Sequence, residues 1–313
     1  MLAVAISLGL ANVSSKAATT DSLAPGAVIG PVMMAASQST PVKAELLAPF
    51  ISPDLAQIGT SDQVSALIVD DSSGTVLFSQ QANREMIPAS TLKLVTSLGV
   101  LHELGLQTRF TTRVVQAGNE LTLVGGGDPT LVSATPPNWR GKPPGVEQPP
   151  SLDQIADLIV SKISGQSGPL VINVDSSYFT SAALEKSWPA SYVAEGFVAP
   201  VSGLTVDFGV NENERPYKNP AQFAGEYLAA ALTSRGIAST YGHDAPADQQ
   251  AEEIVSVQSA PLVDIVERMV TTSNNTMAEY LSHHVGKKSG DDSFAASAER
   301  IRQVISAAGI NTQ

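Results

Sequence analysis

The stretch Pro88-Ala89-Ser90-Thr91-Leu92-Lys93 decides how this chain is read. Pro88 interrupts whatever precedes it, and Ser90 falls where a helical pattern begins. Leu92, Val95, Leu98 and Leu101 then recur at helical spacing, with Gly99 the only weak helix former among them. Ser90 and Lys93 are three residues apart, so a helix places them on one face at its positively polarised end. A serine hydroxyl is a poor nucleophile until a base takes its proton. A lysine serves as that base only if burial and the helix end lower its pKa. Taken alone, the tetrapeptide is better read as a helix-capping serine beside a solvated lysine, because short motifs recur by chance. The rest of the chain reverses that reading.

Composition narrows the function classes. The 313 residues are enough for two domains. A net charge of −12, spread along the chain, argues against nonspecific nucleic-acid binding, which needs a basic face. With no cysteine, disulfides, zinc–thiolate sites and thiol catalysis are excluded. Leu2 to Leu10 is apolar and Ser14 to Thr20 is rich in small residues, so residues 1–20 read as a signal-like segment without a basic start. The run is too short to span a membrane. An extracytoplasmic location is therefore expected. Residues 21–56 read as a linker and lead-in, rich in Ala, Ser and Pro.

Along the chain, Val64–Val69 and Thr75–Phe78 form a hairpin pattern around turn residues. Arg109–Val115 and Leu121–Val124 read as strands, followed by Gly125-Gly126-Gly127-Asp128-Pro129. Neither the dinucleotide nor the P-loop pattern fits these glycines, so a tight structural turn is expected. A proline-rich loop, 136–150, carries Trp139 and Arg140. Ser151 caps a helix, Leu170–Val174 reads as a strand and Val198–Val206 as an extended stretch. Helices are expected after Pro220, after Pro261, from about Thr276 and from about Ser293. His283-His284 reads as an exposed helix pair rather than a metal site.

Ser273-Asn274-Asn275 interrupts two amphipathic helices, where polar side chains can face a cleft. Ser273 is alternatively a simple N-cap. With Ser90 and Lys93 it gives S-x-x-K and S-x-N, which resemble the first motifs of the serine penicillin-recognising enzymes. The resemblance narrows to the D-alanyl-D-alanine carboxypeptidase/endopeptidase family, peptidase S13, the class C low-molecular-mass penicillin-binding proteins. The stretches that carry it are Ile87–Thr96, Leu123–Leu131, Val174–Phe179, Trp188-Pro189, Ala199–Leu204, Ser259–Leu262 and Ser273–Asn275 with Ala278-Glu279, in family order.

That resemblance implies an α+β fold: a β-lactamase/transpeptidase-like domain, an antiparallel sheet with helices, split by an inserted α/β domain. The implied segments are 57–116 and 216–313 for the first domain and 117–215 for the insertion. It implies Ser90 as nucleophile, Lys93 as general base, Ser273 as proton relay and Asn275 as the residue positioning substrate and lysine. The implied partners are peptidoglycan stem peptides, with β-lactams as covalent inhibitors. No cofactor, metal or nucleic acid is implied. The family's third motif, Lys-Thr-Gly, does not occur in the sequence. Lys288-Ser289-Gly290 is rejected as a substitute, since Gly286 and Gly290 with two lysines read as a helix C-cap. The chain accordingly reads as C-terminally truncated, short of the final strands of its sheet. The rival reading is a non-catalytic wall-binding or scaffold protein on the same fold. An esterase or β-lactamase is a third, and the long insertion argues against a lactamase.

Overall fold

The computed structural model describes residues 43–58, 64–70, 72–134, 148–163 and 168–310. The signal-like segment, the linker up to residue 42, and Trp139 and Arg140 lie outside them. Contacts divide the chain into two units, Met1–Ile87 and Pro88–Gln313.

The first unit holds helix α1 (Ala44–Ile58) and an antiparallel hairpin, β1 (Ala66–Val69) with β2 (Val76–Gln80). The turn is built as its sequence suggests: the Asp70 carboxylate accepts hydrogen bonds from the amide and hydroxyl of Ser73. Helix α1 occupies residues that read as lead-in. It contains Pro49 and Pro53 and buries no residue, so periodicity carries no signal for it.

The second unit begins with α2 (Leu92–Leu104), followed by β3 (Thr111–Ala117) and β4 (Glu120–Val124). Then come α3 (Leu152–Lys162), β5 (Leu170–Asp175), the short α4 (Ala190–Ala194) and α5 (Pro220–Ser234). Strands β6 (Ser239–Asp244) and β7 (Glu252–Gln258) precede α6 (Leu262–Thr272), α7 (Asn275–Lys288) and α8 (Phe294–Ala307). The five strands form one mixed sheet in the order β6-β5-β4-β3-β7. β3 pairs antiparallel with β4 and β7, whereas β4–β5 and β5–β6 are parallel. Parallel neighbours need crossovers, and α3 and α5 supply them. Their buried stripes, including Leu152, Ile155 and Ile159 on α3 and Ala224 and Leu228 on α5, share one core with Leu121, Leu123 and Ile172 of the sheet. Ser151 and Asn219 cap these helices by accepting from Gln154 N and Gln222 N.

The sheet draws strands from 111 to 258, on both sides of the boundaries expected at 116/117 and 215/216. Strands β6 and β7 add to those that the sequence pattern indicates. β6 reads Ser-Thr-Tyr-Gly-His-Asp, and its side chains are mostly exposed. Backbone pairing with β5, not side-chain pattern, makes it a strand. Val198–Val206 is not a strand but an irregular segment.

Helices α2, α6, α7 and α8 form a second layer around Val100, Met269, Leu281 and Ile301. The face of α2 turned inward is offset from the apolar stripe, of which Val95 and Leu101 still pack half-buried against the helix core. Lys93, Ser97, Gly99 and Val100 are buried, whereas Leu92 and Leu94 are exposed. Gly99 explains part of this: a Cβ there would lie 2.8 Å from Ile301, so its absence lets α8 approach α2.

Candidate active site

Ser90 lies in a single 3-10 turn, Ala89–Thr91, that leads into α2. Ala89 adopts φ +48, a left-handed conformation unusual for a residue with a side chain. Local strain of this kind, about 1–2 kcal/mol, collects at functional positions. Thr91 closes the turn, its amide and hydroxyl both donating to Pro88 O. Ser90 itself is exposed.

One helical turn on, Lys93 is 7% exposed and projects across to α7. Its Nζ is 3.4 Å from Ser90 Oγ and 2.5 Å from Asn275 Oδ1. Asn275 in turn donates through Nδ2 to Phe197 O at 2.8 Å. The structure therefore brings Ser90, Lys93 and Asn275 together, although the two motifs are far apart in sequence. Burial pushes the Lys93 amine below the usual lysine range, opposed by the charge of Glu279.

The break between α6 and α7 is a Schellman turn. Ser273 N donates to Val270 O and Asn274 N to Met269 O. Ser273 takes the left-handed conformation, φ 53 and ψ 36, where glycine is usual. It is therefore not the N-cap of α7. Asn274 is, accepting from Met277 N at 2.8 Å. Asn275 then starts α7 and is aimed at Lys93. The Ser273 hydroxyl is exposed, and among the described residues it makes no hydrogen bond to Ser90, Lys93 or Asn275.

The irregular segment 197–204 is stitched along α7. Ala199 N donates to Thr276 Oγ1, Ser202 N donates to Tyr280 Oη, and Tyr280 donates to Pro200 O. The glycine run then ties this segment to the sheet. A Cβ on Gly125 would lie 2.1 Å from Gly203 O, and one on Gly126 2.1 Å from Thr111 O. Gly127 N donates to Gly203 O at 2.9 Å. The glycines thus permit close backbone approach, a structural role in keeping with their sequence. Asp128 is buried. Its Oδ1 accepts from Thr130 N and Oγ1, Oδ2 has no hydrogen-bond partner, and burial raises the carboxyl to about 6.

His283 and His284 are not an exposed pair. Both are buried, because α7 is packed on two sides. His284 stacks on Phe110 with ring centroids 3.9 Å apart. Its Nε2 lies 2.9 Å from Gly127 O, which can only accept, so Nε2 carries the proton and Nδ1 accepts from Tyr178 Oη at 3.3 Å. Burial lowers this imidazole to about 4. Lys287 and Lys288 close α7, with Ser289 as C-cap and Gly290 at φ +100. Gly286, by contrast, is inside the helix, where a Cβ would meet Ser297 Oγ at 2.2 Å. Among the described residues no three His, Asp or Glu side chains group as metal ligands. No helix among them is long and apolar enough to cross a membrane.

Glu279 joins the site although the sequence motifs assign it no role. It lies one turn after Asn275 on α7, a spacing that puts both on one face. It lines a cavity of about 490 Å³ with Leu92, Val95 and Thr96 of α2. Burial raises its carboxyl to about 7, against the lowering effect of Lys93 and with a smaller raising effect from Glu185.

Comparisons with known proteins meet this geometry. A model of the D-Ala-D-Ala carboxypeptidase 3 (S13) family matches residues 50–216 and 211–313. The chain is 31% identical over 296 residues to Carboxypeptidase Rv3627c of Mycobacterium tuberculosis, covering 90% of this chain and 61% of that protein. It is 30% identical over 278 residues to Carboxypeptidase DacB of Mycolicibacterium smegmatis, covering 85% of this chain and 56% of that one. The chain thus spans less than two thirds of the length of these relatives. Among solved structures, penicillin binding protein 4 (dacB) from Haemophilus influenzae superposes with a TM-score of 0.58. The match is at 17% identity over 83% of this chain and 71% of that one. The fold is therefore the α+β, β-lactamase/transpeptidase-like one with an inserted domain.

Proposed function

Because the chain belongs to the D-Ala-D-Ala carboxypeptidase 3 (S13) family, we propose that it is a serine peptidase acting on the D-Ala-D-Ala end of peptidoglycan stem peptides. The observation that carries this reading is Lys93 Nζ, held between Ser90 Oγ and Asn275 Oδ1. As an ammonium, Lys93 donates to both oxygens. Once it has lost a proton, which burial favours, its lone pair accepts the Ser90 hydroxyl proton. Ser90 Oγ then bonds to the carbonyl carbon between the two D-alanines. The Ser90 amide, in the first turn of a helix where amides lack an intrahelical acceptor, contributes to the oxyanion hole. Collapse breaks the C–N bond. The proton held on Lys93 passes to the departing amine through the hydroxyl of Ser273, and water later hydrolyses the acyl-enzyme. Asn275 keeps Lys93 aligned and offers its amide to the substrate. Peptidoglycan lies outside the cytoplasm, so this function calls for an extracytoplasmic protein. β-Lactams, as mimics of D-Ala-D-Ala, acylate the same serine.

The test is intact-mass analysis after incubation with benzylpenicillin, with Ser90→Ala as control. A stable adduct on the parent chain and none on the variant is expected. Absence of an adduct on folded parent protein refutes the acyl-enzyme reading for this chain.

A further inference from the structure

We propose that Glu279 is a positioning residue for the Ser90 reaction: its carboxylate, one turn beyond the Asn275 that holds Lys93 and on the same face of α7, sets the charge state of the lysine. The inference rests on the reading of Lys93 as the base for Ser90.

The placement comes from two helices. On α7, Asn275 and Glu279 share a face, and Asn275 Oδ1 already touches Lys93 Nζ. On α2, Leu92, Val95 and Thr96 bracket Lys93 and line one cavity with Glu279. Among the described residues no hydrogen bond joins Glu279 to Lys93, so the two interact through space. Lys93 is buried and Glu279 half-buried beside Trp188, Phe294, Ile301 and Ile305, which makes that interaction stronger than at a surface. It is felt on both sides: the lysine charge lowers the Glu279 pKa and the glutamate charge raises that of Lys93.

Other charges around the pair are few. Glu185 acts on Glu279 from the segment before α4. Arg302 of α8 lines the same cavity but is engaged by Glu299. Asp264, Glu267 and Arg268 of α6 neither line the cavity nor perturb Glu279. The role follows from the chemistry. Accepting the Ser90 proton turns Lys93 into an ammonium, and a carboxylate nearby stabilises that charge as it forms. The same carboxylate keeps more of the resting lysine protonated. Removing it therefore moves the base to lower pH and weakens it.

The test measures Lys93 directly and the reaction separately. Competitive acetylation of the intact protein with acetic anhydride, followed by peptide mapping, gives the titration of Lys93. In Glu279→Gln its midpoint falls by roughly one pH unit. The rise of benzylpenicillin acylation with pH moves by the same amount, and its plateau rate drops. Glu279→Asp keeps the charge and retains most of the parent midpoint. A general loosening of the fold would not shift a midpoint in this way. In the parent protein the labelling curve carries a shoulder near pH 7, where Glu279 ionises. A Lys93 midpoint unchanged in Glu279→Gln, or a parent curve with no shoulder, overturns the proposal. A shifted midpoint in a protein that forms no Ser90 adduct leaves the charge coupling standing and refutes the peptidase reading instead.

Discussion

Replacing Asp128 by asparagine should unmask a pH dependence that the native protein hides. The native carboxyl titrates at about 6 against 3.8 for the free group. Between those values the folded chain keeps a proton that the unfolded chain has lost, so Asp128 makes stability fall as pH rises. Each pH unit of the gap is worth ~1.4 kcal/mol, giving roughly 3 kcal/mol in total. His284 works in the opposite sense. Its imidazole titrates at about 4 when folded and 6.5 when free. The unfolded chain binds the extra proton, so stability rises with pH through that window, also by roughly 3 kcal/mol. The two slopes oppose each other between about pH 4 and about pH 6. The Asp128→Asn side chain keeps an Oδ1 for Thr130 N and Oγ1, and its amide nitrogen replaces Oδ2, which has no partner. A buried, unpartnered amide shifts stability equally at every pH, so the difference curve isolates the titration. Urea unfolding followed by circular dichroism, across about pH 4 to about pH 7, is the assay. Variant minus parent stability should climb by roughly 3 kcal/mol over that range. A flat difference curve refutes the claim that this carboxyl is held protonated by burial.

Two further outcomes test the site. Ser273→Gly relieves a left-handed serine and should raise stability by about 1 kcal/mol, while removing the relay hydroxyl. Thermal unfolding together with β-lactam acylation and deacylation rates checks it, and unimpaired activity in the stabilised variant removes Ser273 from the mechanism. Asn275→Leu deletes the acceptor of Lys93 and the donor to Phe197 O. A hydrogen bond to a charged group is worth about 1.5–3 kcal/mol, so acylation by a fluorescent penicillin should slow roughly 10–100-fold. An unchanged rate in folded protein contradicts the alignment role of Asn275.

The departures from the sequence reading have a common cause. Helix α2 is legible as a helix, but its apolar stripe gives only part of the inward face, Val95 and Leu101. Packing between α7 and α8 also buries Lys93, Ser97 and Gly99, because Gly99 allows the approach of Ile301 and Lys93 finds Asn275. Strand β6 carries no apolar alternation and exists through its backbone ladder with β5. The buried histidines read as an exposed polar pair, since nothing local announces that Gly127 O and the Phe110 ring will enclose one of them.

What the sequence by itself determined is the local chemistry. Ser90 and Lys93 sit three apart at a helix start, Ser273-Asn274-Asn275 breaks two helices, and the glycine run permits close backbone contact. Each follows from spacing and backbone preference within a few residues. The tertiary structure decided which of these groups meet: Lys93 with Asn275, Gly127 with His284, and the 197–204 segment with α7. Such meetings depend on how helices pack over long separations, where close packing and desolvation, rather than local propensity, set the partner and the charge of each side chain.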